Sequence, residues 1–312
     1  MNMEAFVLGT GGMMPLPNRH LTSILLRREG ELFLFDCGEG TQVSLRSLNL
    51  KWKKITAIFI SHTHADHVTG LPGMLMLSAQ VDRDEPLYII GPPRTREYVA
   101  SSRKVLEMYI NFDVIVQEIA DPDVPQVVYA GEGFQIRTVP LSHTRVCVGY
   151  ILEEEARPGV FFPEKAVELG VPRGPMWSRL QQGERVTLDD GGVVEPIQVM
   201  GDSRHGRKFS YITDSRRTPG LADEVTGSDL LICEAMFESE LRQAAHEKGH
   251  MTAEDAGKLA RDAGGVKQMG LIHYSPRYTN RELRKLQKEA QAYFPNSFLT
   301  RDRQTIPIPY AE

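Results

Sequence analysis

Residues 61–67 read Ser-His-Thr-His-Ala-Asp-His and follow directly on Ile-Thr-Ala-Ile-Phe-Ile at positions 55–60. The apolar run is rich in β-branched and aromatic residues, which predicts a buried strand. His and Asp are side chains that bind borderline metals such as zinc through nitrogen and oxygen. A cluster of them at the end of a strand is held by the sheet while its tips point into a cleft. The stretch therefore predicts a metal site, against the plainer interpretation of a polar loop that contains histidine.

The spacing within the cluster favours two metal ions over one. His62 and His64 are two residues apart, so they point the same way in an extended segment. Asp66 and His67 follow at once and must turn toward a second position. Two ions about 4 Å apart can divide these four ligands between them. Such a site needs further ligands, ideally including a carboxylate that bridges both ions.

Three more strand ends carry side chains that suit this site. His143 follows a predicted strand near 134–140, and His273 follows one at 268–272. Asp214 closes another predicted strand and is the candidate bridging carboxylate. A His after a strand is by itself a weak signal, but an established metal pair needs such ligands.

Three other polar residues lie at comparable positions. Asp36 ends a predicted strand at 31–36 and is either a turn residue or a carboxylate that orients a metal-bound His. Glu234 follows a further predicted strand. His250 lies in the loop before a helix for which Thr252 is the predicted N-cap. Residue types and spacing leave both interpretations of Asp36 open.

Composition restricts the classes of protein to which this chain can belong. The 312 residues, 41% hydrophobic and 25% charged, fit a globular protein, and we expect one domain over 1–312. The formal net charge of −5 argues against non-specific coating of nucleic acid but allows local basic patches. Cys37, Cys147 and Cys233 are far apart in apolar runs, which indicates reduced core residues in a cytoplasmic protein. No apolar run approaches the ~20 residues needed to span a membrane.

Residues 153–206 differ in character from the rest of the chain. They are rich in Gly, Pro and charge, and we expect two short helices but no strong core. Eight Lys/Arg and seven Asp/Glu over 157–208 give a local net charge of +1. This insertion is either a solvent-exposed loop region or an arm that binds a polyanion through Arg173, Arg179 and Arg185.

The histidine stretch at 62–67, followed by isolated His143, Asp214 and His273, resembles the metallo-β-lactamase superfamily. The resemblance implies an α/β (α+β) fold, an αβ/βα four-layer sandwich with its dimetal site along one edge of two packed sheets. Further segments resemble the short form of the ribonuclease Z family. These segments are 35–42, 70–73, 169–175, 211–214 and 273–278.

This second resemblance implies a zinc-dependent endoribonuclease that removes the 3′ trailer from precursor tRNA. The products would be a tRNA 3′-hydroxyl and a trailer with a 5′-phosphate. The resemblance also implies a homodimer with two zinc ions per subunit, and manganese is an alternative because His/Asp sites accept several divalent ions. The segment with Arg173, Gly174, Pro175 and Arg179 resembles the family's flexible arm, or exosite, which grips tRNA away from the cut.

Residue by residue, the resemblance assigns metal ligands and catalytic groups. The ligands are His62, His64 and His143 for one zinc, Asp66, His67 and His273 for the other, and Asp214 as the bridge. Asp66 would also accept a proton, and His250, beside Glu234, would protonate the leaving oxygen. The chain departs from the family around this pair, with Cys233 and Met236 flanking Glu234 where the family has His and Thr. Arg277 and Tyr278 match a substrate-contacting position, with a structural salt bridge as the alternative.

Two other functions are compatible with the metal ligands. A small-molecule metallo-hydrolase of the same superfamily, such as a phosphodiesterase or lactonase, would share all seven. The arm and the tRNA-type segments favour the nuclease over this class. A non-catalytic RNA-binding protein would usually have lost ligands, and this sequence has kept them.

Overall fold

The computed structural model describes residues 3–81 and 83–310. These residues divide into two compact units. The larger comprises the described residues up to Leu152 together with Lys208–Pro309, and the smaller contains Glu153–Arg207 and Tyr310. No helix in the described ranges combines the length and apolar character needed to cross a membrane.

The first sheet of the larger unit contains seven described strands. They are β1 (Met3–Gly9), β2 (Ser23–Arg28), β3 (Glu31–Phe35), β4 (Ile55–Phe59), β5 (Leu87–Gly91), β6 (Val114–Glu118) and β16 (Thr305–Pro307). Their order is β16-β1-β2-β3-β4-β5-β6, and β3 to β6 run parallel. The helices between them are α1 (Thr41–Ser47), α2 (Ala65–Val68), α3 (Leu71–Ala79) and α4 (Thr95–Val105).

The second sheet also has seven strands within the described ranges. They are β7 (Val127–Gly131), β8 (Phe134–Ser142), β9 (Val146–Glu154), β12 (Lys208–Ile212), β13 (Leu230–Glu234), β14 (Met269–Ile272) and β15 (Ser297–Leu299). Their order is β15-β14-β13-β12-β9-β8-β7, with β12 to β15 parallel. The accompanying helices are α8 (Leu221–Val225), α9 (Arg242–Lys248), α10 (Ala253–Ala263) and α11 (Leu283–Gln291).

The larger unit has three apolar layers. Aromatic side chains fill the layer between the sheets, where Phe33 and Phe59 from the first sheet meet Tyr150 and Tyr211 from the second. A second layer lies under α1, α3 and α4, and a third under α8, α10 and α11. Burying one such ring contributes roughly 2–3 kcal/mol. The order helix, sheet, sheet, helix confirms the predicted αβ/βα sandwich.

Most predicted elements lie within a few residues of those observed. Thr252 caps α10 as predicted, accepting a hydrogen bond from Asp255 N. Sequence analysis missed β7 and β9, as well as β15 and β16, which have only three residues each. Strands this short carry too little alternation to be read from sequence, and the sheets supply their partners.

The smaller unit contradicts the expectation that the insertion lacks a core. It contains α5 (Pro163–Glu168), α6 (Pro175–Gln181), the ribbon β10 (Val186–Thr187) with β11 (Val193–Val194), and α7 (Pro196–Val199). Their apolar side chains form one buried cluster: Ala166, Val171, Leu180, Val186, Val194 and Val199. These residues come from separate short segments, so no apolar run reveals the cluster in the sequence.

The parallel strands bring several loops to one edge of each sheet. Asp36 follows β3, and Ser61 comes two residues after the end of β4. In the second sheet, Glu234 ends β13, and His273 follows β14. Carboxyl ends of parallel strands share an edge, so side chains that are distant in sequence can meet there.

Candidate metal centre

The candidate metal ligands lie close together in the structure. Each follows the end of a strand or lies in α2, the single helical turn after β4. Within each of two groups, one ligand atom per residue lies within 4.8 Å of the others: His62, His64, His143 and Asp214 in the first group, and Asp66, His67 and His273 in the second. Such donor sets can hold divalent metal ions.

The first group has the separations of ligands around one small ion. His64 Nδ1 lies 2.9 Å from His62 Nε2 and 3.1 Å from His143 Nε2. Asp214 Oδ2 lies 3.6 Å and 3.8 Å from the same two Nε2 atoms. Ligands bound about 2.1 Å from a tetrahedral zinc would stand ~3.4 Å apart. The donor set therefore fits such an ion.

The second group has similar separations and meets the other oxygen of Asp214. His273 Nε2 lies 3.2 Å from His67 Nε2 and 3.1 Å from Asp66 Oδ2. Asp214 Oδ1 lies 3.3 Å from His67 Nε2 and 3.2 Å from His273 Nε2. The two oxygens of Asp214 thus face different groups.

Hydrogen bonds at the far side of three rings select the nitrogen that faces the site. His62 Nδ1 contacts Ser61 Oγ at 3.0 Å, and His143 Nδ1 donates to Gly249 O at 2.8 Å. His67 Nδ1 donates to Asp36 Oδ2 at 2.7 Å. A partner on Nδ1 leaves Nε2 as the metal-binding atom. His273 Nδ1 is buried without a hydrogen-bond partner among the described residues, and its Nε2 also points to the cluster.

The carboxylate of Asp36 is the most heavily bonded group beside the ligands. Its Oδ2 accepts from His67 Nδ1, from Ser61 Oγ at 2.8 Å and from Tyr211 OH at 2.7 Å. Its Oδ1 accepts from Ser61 N at 2.7 Å. The Asp36 carboxylate therefore contacts the candidate ligand His67, as an orienting carboxylate would. Sequence reasoning missed Ser61 and Tyr211, because only the packing of the two sheets brings them to Asp36.

The protonation of the first group suits metal binding. Burial lowers the pKa values of His62, His64 and His143, and that of His143 falls to about 4. Neutral imidazole is the form that binds metals. In the second group, burial opposes protonation of His67, but Asp214, Asp36 and Asp66 outweigh it and raise its pKa. That much negative charge around one ring is what a bound cation would balance.

Glu234 and His250 form a buried pair next to the ligands. His250 Nδ1 lies 3.2 Å from Glu234 Oε2 and 3.9 Å from Asp214 Oδ2. Glu234 Oε1 also accepts from Ser215 N at 2.6 Å, which fixes the carboxylate. Burial opposes the charge on the ring, but the Glu234 carboxylate raises the pKa of His250 to about 9. His250 can therefore hold a proton at the rim of the site.

The loop at 9–14 closes the second group from one side. Met13 N donates to Asp66 Oδ2 at 2.7 Å, and Gly12 N donates to Tyr274 O at 3.0 Å. A Cβ at Gly12 would come within 2.7 Å of the His273 ring, so only glycine allows this approach. The sequence did not identify this loop as part of the site. Its signal was the run of glycines, which any tight turn would also show.

The predicted substrate-contacting residues lie in two different settings. In the larger unit, Arg277 is exposed, and its guanidinium lies over the Phe237 ring at 5.0 Å. Tyr278 is buried, and its hydroxyl accepts from Glu238 N at 3.0 Å, so it packs the loop. Arg173, Gly174, Pro175 and Arg179 are exposed in the smaller unit. Arg179 pairs there with Glu184 at 3.0 Å.

Comparison with known proteins places the chain in a family. It is 60% identical over 312 residues to ribonuclease Z of Treponema denticola, covering 100% of both chains. It is 43% identical over 307 residues to ribonuclease Z of Borrelia hermsii, covering 97% of this chain and 96% of that one. The chain belongs to the ribonuclease Z family. Both of these relatives carry the name of an endoribonuclease.

Solved structures agree with membership of the ribonuclease Z family. The crystal structure of human tRNase Z, short form, matches with a TM-score of 0.71 and 26% identity, covering 98% of this chain and 99% of that one. Two family models also match: "Beta-lactamase superfamily domain" over residues 165–274 and "Anti-Pycsar protein Apyc1" over residues 3–154. A diphosphatase of the PhnP family, at 17% identity and a TM-score of 0.63, shares the fold alone.

Replacing Asp36 by Asn tests whether its charge supports the metal site. Asp36 has a φ of 54°, which Asn tolerates, so the backbone should persist. We expect divalent metal affinity to fall about 10–100-fold, because His67 loses its anionic partner. Competition with a chelator measures this affinity.

Asp302→Asn is the matched control for this substitution. Asp302 is also a well-bonded carboxylate, accepting from Thr10 Oγ1 at 2.7 Å and from His20 N at 2.6 Å, but it contacts no candidate ligand. Equal metal affinities for the wild type and Asp36→Asn would contradict a supporting role for Asp36.

Proposed function

We propose that this chain is a two-zinc endoribonuclease that removes the 3′ trailer from precursor tRNA. The observation that carries the proposal is the carboxylate of Asp214, whose two oxygens face two separate donor groups. Membership of the ribonuclease Z family supplies the reaction and the substrate class. Manganese is the alternative ion, because His/Asp donor sets accept several divalent metals.

The proposed ligand sets follow the two donor groups. One ion would take His62, His64 and His143, the other would take Asp66, His67 and His273, and Asp214 would bridge them. Bound divalent cations would supply water activated for attack near neutral pH and offset negative charge on the phosphate. Asp36 would hold His67 in the orientation that presents Nε2.

Two side chains, those of Asp66 and His250, would transfer protons during the reaction. Asp66 would accept the proton of the attacking water, and Met13 N already fixes one of its oxygens. The water oxygen joins the phosphorus, and the bond from phosphorus to the tRNA 3′ oxygen breaks. His250, held by Glu234, would donate a proton to that leaving oxygen. The tRNA then ends in a 3′-hydroxyl, and the trailer keeps the 5′-phosphate.

We further propose that residues 153–206 form a tRNA-binding arm inserted in one metallo-β-lactamase domain spanning 1–312. Arg173, Gly174, Pro175 and Arg179 would contact tRNA on the arm, and exposed Arg277 would contact it near the metal site. Exposed guanidinium groups bind phosphate oxygens readily. Tyr278 would act through the packing of its loop rather than by touching RNA, because it is buried.

We also propose a cytoplasmic homodimer. Support for the dimer comes from apolar side chains exposed at the end of α4: Val105 is 78% exposed, Leu106 55% and Tyr109 85%. An exposed apolar patch of this kind suits contact with a second copy. The cytoplasmic location is supported by the buried, unpaired cysteines Cys37, Cys147 and Cys233.

Cleavage of a precursor tRNA by the wild type and by Asp214→Ala tests the proposed reaction. We expect the wild type to release the 3′ trailer and the variant to lose activity by about a thousandfold or more, because one substitution removes a ligand from both ions. Asp223→Ala, which removes an exposed carboxylate on α8, is the control and should cut normally. An Asp214→Ala enzyme that cuts near the wild-type rate would refute the bridging assignment.

Replacing Arg173, Arg179 and Arg185 together by Gln tests the arm. We expect KM for precursor tRNA to rise. The slope of log affinity against log salt concentration should fall by about one for each arginine replaced, because each contributes one phosphate contact. Hydrolysis of bis(p-nitrophenyl) phosphate should persist, since that substrate is too small to need an arm. Lys165→Gln, an exposed cation on α5, is the control. Equal loss of both activities in the triple variant would count against a separate RNA-binding arm.

Sedimentation of the wild type and of Tyr109→Glu tests the dimer. A charge placed in the exposed patch should shift the protein toward monomer, because burying an unpaired carboxylate is costly. Ile197→Glu is the matched control, since Ile197 is also 85% exposed but lies in the smaller unit. A wild type that sediments as a monomer at all concentrations tested would exclude the dimer.

A further inference from the structure

A cleft in the larger unit is lined by several cations and by none of the candidate metal ligands. Its volume is about 840 Å³, and α11 forms one of its walls. Besides the buried Arg19, five cations line it: Arg281, Arg284, Lys288, Arg301 and Arg303. All five are exposed. A chain with a net charge of −5 has therefore concentrated cations in one concave surface.

None of these five cations forms an ion pair with a described residue. Lys285, the neighbour of Arg284 on α11, instead contacts Glu238 at 2.6 Å and Glu240 at 3.3 Å. The only carboxylate among the described lining residues is Asp302, which already accepts hydrogen bonds from Thr10 and His20. The positive charge of the cleft is thus available to a ligand.

The cations on α11 share one face of the helix. Arg284 and Lys288 are four residues apart, and Arg281 lies one turn earlier in the segment before the helix. Like charges at this spacing repel and destabilise a helix. A polyanion in the cleft would relieve that repulsion, whereas an ordinary solvated helix face would mix the two signs.

The cleft shares its loops with the candidate metal centre. Arg19 lines the cleft, where it donates to Asn280 Oδ1 at 3.0 Å and lies 5.8 Å from the Tyr274 ring. Tyr274 follows the ligand His273 and accepts the N–H of Gly12. The segments at 9–20 and 273–280 therefore contribute both to the cleft and to the donor groups.

The lining of the cleft distinguishes between forms of RNA. No described side chain that lines it is aromatic, and several carry amides, such as Asn18, Asn280 and Gln287. Sites for single-stranded RNA usually stack bases on aromatic rings. A base-paired A-form helix is instead held through phosphates and 2′-hydroxyls, which cations and amides can bind.

We propose that this cleft binds the sugar-phosphate backbone of the base-paired stem next to the cleaved bond. The inference rests on the proposed ribonuclease function and adds a second RNA-binding surface, located in the unit that carries the metal ligands. Arg281, Arg284 and Lys288 bind phosphates of the stem, and the amides bind 2′-hydroxyls. The cleft thereby positions the end of the stem at the donor groups.

The triple variant Arg281→Gln, Arg284→Gln and Lys288→Gln tests the cleft in the full-length enzyme. Two substrates are compared: a hairpin with a base-paired stem and a 3′ trailer, and a single-stranded RNA with the same trailer sequence. We expect KM for the hairpin to rise and the slope of log affinity against log salt to fall by about 2–3, because three phosphate contacts are lost. Affinity for the single strand should stay within twofold.

The matched control is the triple variant Lys51→Gln, Lys53→Gln and Lys54→Gln. These lysines are also exposed, but they precede β4, whereas the metal ligands follow it, so they lie at the opposite end of that strand. The control should keep the wild-type KM and salt slope. Thermal unfolding and bound-metal content of both variants report whether each remains folded with an intact centre.

The outcomes separate this proposal from the function on which it rests. A wild type that fails to cut precursor tRNA overturns the proposed function itself. A wild type that cuts, with an unchanged KM and salt slope in the Arg281, Arg284 and Lys288 variant, overturns the cleft alone. Equal weakening for the hairpin and the single strand overturns the assignment to a base-paired stem.

Discussion

One buried carboxylate, that of Asp36, joins the two sheets where the candidate ligands meet. It follows β3 in the first sheet, while one of its donors, Tyr211, belongs to β12 in the second. A buried charge is costly unless several hydrogen bonds compensate it, and here four do so. Through His67 the same carboxylate reaches the donor groups, so the packing of the sandwich and the orientation of a candidate ligand depend on one residue.

The sequence predicted the parts of the site that local order encodes. The close spacing of His62, His64, Asp66 and His67 indicated two donor groups, and strand-end positions indicated where the other ligands enter. Apart from Asp36, the groups that hold these candidate ligands could not be predicted. Ser61 and Tyr211 reach Asp36 only because the sheets pack, and the bond from His143 to the Gly249 carbonyl involves no distinctive side chain. Likewise, the apolar cluster of the smaller unit joins residues scattered over short segments, which composition described only as polar.

Net charge proved a poor guide to the surfaces that suit RNA. The whole chain is acidic, yet exposed arginines that form no ion pair with a described residue line the cleft beside α11, and others lie in the smaller unit. Several acidic residues are paired with cations, such as Glu254 with Arg242 and Glu238 with Lys285. An acidic protein can thus avoid indiscriminate attraction to polyanions while it keeps local surfaces for one of defined shape. This arrangement fits a member of the ribonuclease Z family better than a uniformly basic surface would.

The bond between His143 Nδ1 and the carbonyl oxygen of Gly249 has a consequence for genetics. Side chains hold His62 and His67, so a mutational scan can delete those supports one at a time. A main-chain acceptor persists whatever residue occupies its position. Gly249 would still score as intolerant, because it has a φ of 76° and an added Cβ would lie 2.8 Å from that same ring nitrogen. A mutational scan would therefore detect the steric cost of a side chain at position 249, but it would not detect the hydrogen bond that holds His143.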